Sequence, residues 1–226
     1  MFFGADPNQP GTLRFNLFRF PVSIHWSFWI IPLIWGSSGF GGDPVEQTRY
    51  LFIWVLVFFV SILGHELGHA LAYRRYGGTA QIIIHGMGGM AVSNGSYTRR
   101  QKIIITIGGP AVGFMMAALS LFLIFILNPD TLNIYVIRFL VMMIWINSIW
   151  SALNLLPVYP LDGGQLLSHI MHERKPVLRG KIGGITAAIA GLLLFIKLNS
   201  IFAAIMFGFL AYQNFQAAER ARRGYW

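Results

Sequence analysis

The chain has 226 residues and a formal charge of +9, and 55% of its residues are hydrophobic whereas only 11% are charged. So few polar residues cannot coat a soluble globule, which indicates a protein embedded in a lipid bilayer. Nucleic-acid-binding proteins gather basic residues on one solvated face, but here Lys and Arg lie in short clusters between apolar runs. We therefore expect no nucleic acid partner. The absence of cysteine excludes disulfides and thiolate metal ligands, which leaves His, Asp and Glu to bind any metal.

Six apolar runs are candidates for membrane spans, judged against the roughly 20 residues that a helix needs to cross the hydrocarbon core. They lie at about 21–37, 50–75, 103–127, 134–157, 182–197 and 199–216. The pattern predicts an all-α membrane protein with about six transmembrane helices and a short β-hairpin between the second and the third. Because no loop is long enough to hold a separate folded domain, we expect residues 1–226 to form a single membrane-embedded domain.

Lys and Arg residues concentrate on one side of the predicted spans, which the positive-inside rule assigns to the cytoplasm. The other side has only Arg49 and Lys197, with Arg138 just inside a span. We therefore expect an integral multi-pass protein of the cell's inner or plasma membrane, with both termini in the cytoplasm. The cytoplasmic set is Arg14, Arg19, Arg74, Arg75, Arg99, Arg100, Lys102, Arg174, Lys175, Arg179, Lys181, Arg220, Arg222 and Arg223.

The predicted hairpin is glycine-rich. Two short β-like runs, Gln81–Ile84 and Met90–Val92, flank a glycine cluster from Gly86 to Gly89. Open backbone at membrane depth is tolerated only beside protein or a wet cavity, so we expect the hairpin to dip next to a polar site or to lie at the membrane interface. A sheet edge there can pair with an extended peptide, and a surface turn without a role is the alternative.

The second span contains an HExxH motif, His65-Glu66-Leu67-Gly68-His69. A helix places positions i and i+4 on one face, so His65 and His69 can chelate one ion, for which imidazole ligands and a hydrolytic task favour zinc. Glu66 is rotated about 100° from His65, where it can reach a water at the metal without becoming a ligand. The alternative is a Glu–His pair that ties helices together without metal. Each ionisable group in a membrane helix costs about 2.5–3.5 kcal/mol, and this alternative provides no metal to offset that cost.

A tetrahedral zinc that keeps one position for water needs a third protein ligand. The candidates within the membrane are His25, His85 and Asp162. The second and fourth predicted spans both run from outside to inside, so Asp162 emerges at the face near which His65 and His69 lie. By helix rise the two histidines are roughly 7–13 Å inside the cytoplasmic boundary. Asp162 is therefore the expected third ligand, with an ordinary turn or N-cap carboxylate as the alternative for this residue.

Taken together, these motifs resemble those of the site-2 protease family of intramembrane zinc metalloproteases, peptidase family M50. HELGH matches the family's HExxH motif, and NLLPVYPLDGG, from Asn154 to Gly164, matches its NxxPxxxLDG element. The hairpin, the helix with Gly108-Gly109-Pro110 and the LDG segment also follow the family's order. The resemblance implies one zinc ion on His65, His69 and Asp162.

The same resemblance implies Glu66 as the general base and Asn154 as a residue that helps to hold unwound substrate near the metal. An Asn side chain offers both a donor and an acceptor to a peptide backbone, although a helix–helix hydrogen bond is the alternative. We further expect Gly88, Gly89 and Met90 of the hairpin to hold the substrate as an added β-strand.

The function implied is hydrolysis of peptide bonds in transmembrane segments of single-span proteins, or of signal-peptide remnants, near the cytoplasmic side of the bilayer. This is regulated intramembrane proteolysis. Some family members carry PDZ or CBS domains, and we expect neither here. The alternative function is a zinc-binding membrane protein or transporter that does not cleave. The sequence leaves the oligomeric state and the identity of the substrate open.

Overall fold

The structure, a computed structural model, describes residues 10–37, 43–86, 88–127, 132–171 and 174–224. The chain divides into two compact units. Unit 1 comprises residues 1–96 and 111–151, and unit 2 comprises residues 97–110 and 152–226.

The described residues are mostly helical, with one small β-sheet. The strands are β1 (Thr12–Leu17), β2 (Phe20–His25), β3 (Ala80–His85) and β4 (Gly88–Ser93). The helices are α1 (Ile30–Ser37), α2 (Pro44–Arg75), α3 (Arg99–Ile126), α4 (Ile134–Asn154), α5 (Asp162–Ile170), α6 (Pro176–Leu198) and α7 (Ile201–Arg222), and a 3₁₀ helix covers Trp26–Trp29. Among the described residues, α2, α3, α4, α6 and α7 are the five helices long and apolar enough to cross a membrane.

Residues 21–37 do not form the first transmembrane helix that the sequence predicts. They form most of β2, the 3₁₀ helix and α1, which has only 8 residues. In β2, Val22, Ser23 and Ile24 are all buried. A strand buried on both faces reads as a continuous apolar run, and hydrophobic periodicity alone cannot distinguish it from a buried helix.

The sheet of unit 1 has four strands in the order β1-β2-β3-β4. Strands β3 and β4 pair antiparallel, in the segment for which the sequence predicts a hairpin. The other two strands are not predicted: β1 pairs antiparallel with β2, and β2 runs parallel to β3. The chain is therefore not all-α, because the predicted hairpin is one half of a larger sheet.

Helix α2 packs against one face of this sheet. Alternate residues of a strand point to the same face, and in β2 and β3 the even-numbered residues are apolar. At the end of α2, the Arg74 guanidinium donates a hydrogen bond of 2.8 Å to the Phe18 carbonyl, so the β1–β2 turn lies at the C-terminal end of α2. The buried cluster between sheet and helices comprises Phe20, Val22, Ile24, Phe28, Phe58, Ile62, Ala70, Ala80, Ile82 and Ile84.

In unit 2, α6 and α7 form a closely packed antiparallel pair. They are joined by a short turn in which Asn199 has a left-handed φ of 49°. Close approach depends on glycine: a Cβ added at Gly180 would lie 2.6 Å from the Asn214 carbonyl oxygen, and one at Gly183 would meet the Asn214 side chain. The two helices therefore meet at a seam of small residues, as is common between membrane helices.

Asn214 of α7 holds the segment that follows α4. Its side chain, 4% exposed, donates a hydrogen bond of 2.7 Å to the Tyr159 carbonyl and accepts one of 3.1 Å from the Tyr159 N–H. Pro157 and Pro160 prevent this segment from continuing a helix, so its backbone groups need partners outside regular structure. Asn214 supplies two of them.

Replacing Asn214 with Leu should destabilise the protein, because both Tyr159 backbone groups lose the partner that the buried Asn214 side chain provides. An unsatisfied buried polar group costs about 1–3 kcal/mol. We expect the thermal unfolding midpoint of the purified protein in detergent to fall by several degrees. Gln213→Leu, the same kind of change one residue earlier on α7, is the matched control. An equal fall for both variants would contradict the assigned role of Asn214.

Candidate active site

Helix α2 places the three polar residues of HELGH on a buried part of unit 1. His65, Glu66 and His69 are 3%, 6% and 8% exposed, although the surrounding helix is apolar enough to span a membrane. The rings of His65 and His69 stand at 77° to each other, and their Nε2 atoms are 3.3 Å apart. The i, i+4 spacing thus aims two imidazole nitrogens at one point.

This arrangement fits a zinc ion. Two nitrogens at the usual Zn–N distance of about 2.0–2.1 Å, on a tetrahedral ion, are about 3.3–3.4 Å apart. The observed 3.3 Å between the His65 and His69 nitrogens matches that separation. Among first-row metals, imidazole nitrogens suit zinc well. The two histidines can therefore serve as two of its ligands without rearrangement.

The start of β4 packs directly on Glu66. A Cβ added at Gly89 would lie 2.6 Å from Glu66 Oε1 and 2.7 Å from its Cδ, so a larger residue here would have to displace the Glu66 side chain. Gly88 has φ +125°, a conformation that other residues rarely adopt, and it lies next to the Trp150 ring. Met90, the next residue of β4, is 45% exposed. The structure thus brings Gly89 to Glu66 of the HELGH motif, and Gly88 to Trp150.

Ser27 holds Gly86, at the turn after β3, and no sequence motif indicates this role. Its Oγ accepts a hydrogen bond of 3.0 Å from the Gly86 N–H and lies 2.7 Å from His25 Nδ1. The same Nδ1 accepts from the Ser27 N–H at 3.3 Å, so the Ser27 hydroxyl donates to it. His25, a candidate ligand by sequence, therefore caps the 3₁₀ helix and supports the turn instead.

His85, the other histidine considered as a ligand, ends β3. It is partly buried, and that burial lowers the pKa of His85 below its ordinary value, with the charge of His25 as a smaller contribution in the same direction. A lowered pKa keeps the imidazole neutral at physiological pH.

A second unforeseen contact joins α2 to α4. Asn147 Nδ2 donates to Ser61 Oγ and to the Met143 carbonyl, each at 2.9 Å, and Asn147 and Ser61 are almost completely buried. Ser61 lies one helical turn before His65. Hydrogen bonds between polar side chains commonly connect membrane helices, so this one fixes α2 close to the motif. Ser61 and Asn147 are each a polar residue in an apolar run, which marks them as unusual in the sequence. Because they are 86 residues apart, the sequence does not indicate that they meet.

Asp162 and Asn154 belong to unit 2. Asp162 is the first residue of α5 and is buried, whereas Asn154 ends α4 and is partly buried. The N-cap of α5 is Leu161, so Asp162 does not occupy the N-cap position, one of the two ordinary roles considered for this carboxylate. A Cβ at Gly163 would meet the Leu155 carbonyl, and one at Gly164 would lie 2.5 Å from the Tyr159 N, so the two residues after Asp162 pack too closely for a side chain.

The other end of α5 is held by Arg99, at the start of α3. Its guanidinium donates hydrogen bonds of 2.7 Å to the carbonyls of His169 and Ile170. The C-terminus of a helix carries the negative end of the helix dipole, so a cation that also donates to its last carbonyls is stabilising there. Arg99 therefore stabilises the short helix that begins with Asp162.

Comparisons with known proteins agree on one family. A model described as peptidase family M50 matches residues 123–198, which include Asn154 and Asp162. The zinc metalloprotease MJ0392 of Methanocaldococcus jannaschii is 25% identical over 168 residues, 73% of this chain and 47% of that protein. The solved site-2 protease from Methanocaldococcus jannaschii has a similar fold, with a TM-score of 0.59 and 23% identity over 92% of this chain and 94% of that one.

These comparisons support the site-2 protease family for this chain. A further family relative, Rip3 of Mycobacterium tuberculosis, is 27% identical over 179 residues, 74% of this chain and 46% of that protein. The chain thus spans about half the length of the curated relatives it matches. Its apolar helices and its relatives support an integral membrane protein.

The contact between Gly89 and Glu66 can be tested by a double-mutant cycle. Gly89→Ala forces a methyl group against the Glu66 side chain, and overpacking of this kind costs about 1–3 kcal/mol. Truncating Glu66 to Ala frees that space, so the double variant should recover most of the loss. Unfolding midpoints of the four proteins measure the coupling.

The control is Gly208→Ala on α7, where an added Cβ meets nothing within 4 Å. This variant should be close to wild type in stability, both alone and combined with Glu66→Ala. If the effects of Gly89→Ala and Glu66→Ala on the unfolding midpoint are strictly additive, residue 89 does not press on Glu66.

Proposed function

We propose that this protein is an intramembrane zinc metalloprotease of the HExxH type, which hydrolyses peptide bonds in transmembrane segments of single-span membrane proteins. The observation that carries the proposal is the buried His65–His69 pair on a helix apolar enough to span a membrane, with its nitrogens at the spacing of two zinc ligands. Similarity to a family whose relatives include a zinc metalloprotease supports it.

One zinc ion is proposed on His65, His69 and Asp162. Each of these buried residues offers one ligand atom, and such a group could hold a metal ion. Two imidazoles and one carboxylate are a common ligand set of hydrolytic zinc sites, in which a fourth position is left for water or substrate. A carboxylate also offsets part of the ion's charge, which matters in an apolar environment.

Glu66 is the proposed general base. It neighbours His65 along α2 but points away from the ring pair by about 100° of helix rotation, so it is placed to accept a proton from the attacking water and to pass it to the leaving amine. Zinc, when bound, would polarise the scissile carbonyl and make the water more acidic. The backbone of Gly89 covers the carboxyl group and limits its movement.

Substrate binding is proposed along β4. This strand ends the sheet and has β3 on one side only in the described strand order, so its outer edge is suited to pairing with an extended peptide. Gly88, Gly89 and Met90 would present their backbone groups beside Glu66, and Asn154 would add an amide to the unwound substrate. A helical substrate must unwind first, because a helix uses its carbonyls internally.

We also propose that the active site and both termini face the cytoplasm, in an inner or plasma membrane. The contact of Arg74 with the Phe18 carbonyl supports this, because it puts the turn bearing Arg19 at the same end of α2 as Arg74 and Arg75. Basic residues accumulate on the cytoplasmic side of membrane proteins. Single-span proteins and signal-peptide remnants remain the proposed substrates.

Glu66→Gln should abolish cleavage while leaving zinc bound, because the amide cannot accept the proton but does not replace a ligand. General base catalysis contributes about 10²–10⁴-fold, so the cleavage rate should fall at least about 100-fold. Cleavage of a single-span membrane peptide by the purified protein measures the rate, and elemental analysis measures the zinc. Zinc flux into proteoliposomes that persists in Glu66→Gln, without cleavage by the wild type, would instead favour a transporter.

Asp162→Asn should weaken zinc binding. Loss of a group that only orients a ligand costs about 10–100-fold in metal affinity, and loss of a ligand should cost no less. Competition with a chromophoric chelator measures the affinity. Glu219→Gln on α7 neutralises an exposed carboxylate of unit 2 and should leave zinc affinity unchanged. Wild-type affinity in Asp162→Asn would contradict its assignment as a ligand.

A further inference from the structure

A large cavity opens in unit 1 at the C-terminal end of α2, away from HELGH along the helix. Its volume is about 1000 Å³. It lies where the β1–β2 turn, the end of α2 and the first residues of β3 meet. The residues that define its character are Phe18, Arg19, Arg74, Thr79, Gln81 and Asn94.

The cavity lies where the pairing of β2 with β3 ends. Their pairing covers only Val22–Ile24 with Ile82–Ile84. Phe20 and Pro21 precede that pairing, and proline has no N–H group with which to extend the ladder. The ladder between the two strands therefore begins only at Val22 and Ile82, and the cavity lies beside the residues that precede it.

The cavity is basic. Arg19 and Arg74 line it, and Arg19 is exposed. All four strands lie within residues 10–37 and 76–98, and neither range contains Asp or Glu. An anion entering this space therefore meets two guanidinium groups and no carboxylate from the sheet. Arginine is especially suited to phosphate, because its planar fork can donate two parallel hydrogen bonds.

Arg74 is held in place by the fold. One of its N–H groups donates to the Phe18 carbonyl at 2.8 Å, and its guanidinium carbon lies 4.5 Å from the centre of the Phe20 ring. A guanidinium has five N–H donors, so this fixed arginine retains capacity for an anion. Little side-chain entropy remains to be lost when the ligand binds.

The surroundings favour a lipid. Arg74 and Arg75 end an apolar helix that is a candidate membrane span, so the cavity lies where such a helix meets the membrane surface. Phe18, at the tip of the turn, is 66% exposed and has a left-handed φ of 49° that keeps the turn tight. An aromatic ring next to two arginines suits the boundary between headgroups and acyl chains.

We propose that this cavity binds the phosphate headgroup of an anionic phospholipid, with Arg19 and Arg74 contacting the phosphate and Phe18 contacting the start of the acyl chains. The site does not depend on the proposed peptidase activity, since it contains none of the proposed catalytic or zinc-binding residues. The cavity lies on the helix that carries HELGH and on the sheet that packs against that helix. Anionic lipids are enriched in the cytoplasmic leaflet, the side on which the active site is proposed to lie.

Binding of short-chain dioctanoyl phosphatidylglycerol to the purified protein in nonionic detergent, followed by native mass spectrometry, tests the site. Phosphatidylglycerol should bind more tightly than phosphatidylcholine of the same chain length. Arg19→Gln should weaken phosphatidylglycerol binding about fivefold, the effect expected for one basic residue near a lipid surface. Thr79→Trp, which fills the cavity without changing charge, should remove the preference for phosphatidylglycerol.

Arg14→Gln is the matched control, because it removes the same charge from β1 outside the cavity lining and should leave binding unchanged. An equal loss in Arg14→Gln would show diffuse attraction and overturn the site, as would equal binding of both lipids. Displacement of the lipid by millimolar inorganic phosphate would identify free phosphate as the ligand. Displacement by an acidic peptide at concentrations below that of the lipid would identify a protein partner, and either result overturns the proposal.

Discussion

The burial of ionisable groups in an apolar helix is the constraint on which the rest of this molecule depends. His65, Glu66 and His69 occupy little more than one turn of α2 and are nearly inaccessible. Each such group costs about 2.5–3.5 kcal/mol in a membrane helix unless it has a partner. The two imidazole nitrogens, 3.3 Å apart, are placed to bind one cation, and a bound cation would offset part of that cost.

The sheet of unit 1 follows from the same constraint. A strand can pack on the buried Glu66 only if its own backbone groups are satisfied, because buried N–H and C=O groups need hydrogen-bond partners. Pairing of β3 with β4 and with β2 satisfies most of them, and Ser27 accepts the hydrogen bond of Gly86 where the ladder ends. Packing of alternate residues on α2 then fixes the position of the turn. The four-stranded sheet therefore holds Gly89 against the Glu66 carboxyl group.

Unit 2 shows a comparable solution for the segment that carries Asp162. Proline interrupts the helix after α4, and the amide of Asn214 pairs with the freed backbone of Tyr159. Gly164 allows α5 to start tightly against that segment, and Arg99 closes the opposite end of α5. A short helix with a buried carboxylate at its first turn is thereby held from both ends.

The sequence by itself determined the parts of this protein that depend on local spacing. HELGH puts its histidines on one helix face because the i, i+4 relation is a property of any helix, and the glycine cluster predicts a turn between two strands for an equally local reason. The five long apolar runs after residue 43 are recognisable because a membrane helix needs only length and apolar composition. HELGH and the segment from Asn154 to Gly164 also resemble motifs of the site-2 protease family.

Only the tertiary structure decided the rest, because it depends on which distant residues meet. Apolar composition cannot distinguish β2, buried on both faces, from the start of a transmembrane helix, and its pairing with β3 settles the matter. Ser27 meets Gly86 across 59 residues, and Asn147 meets Ser61 across 86. The cavity at Arg19 and Arg74 likewise lies where the pairing of two strands ends, and no single segment encodes such a space.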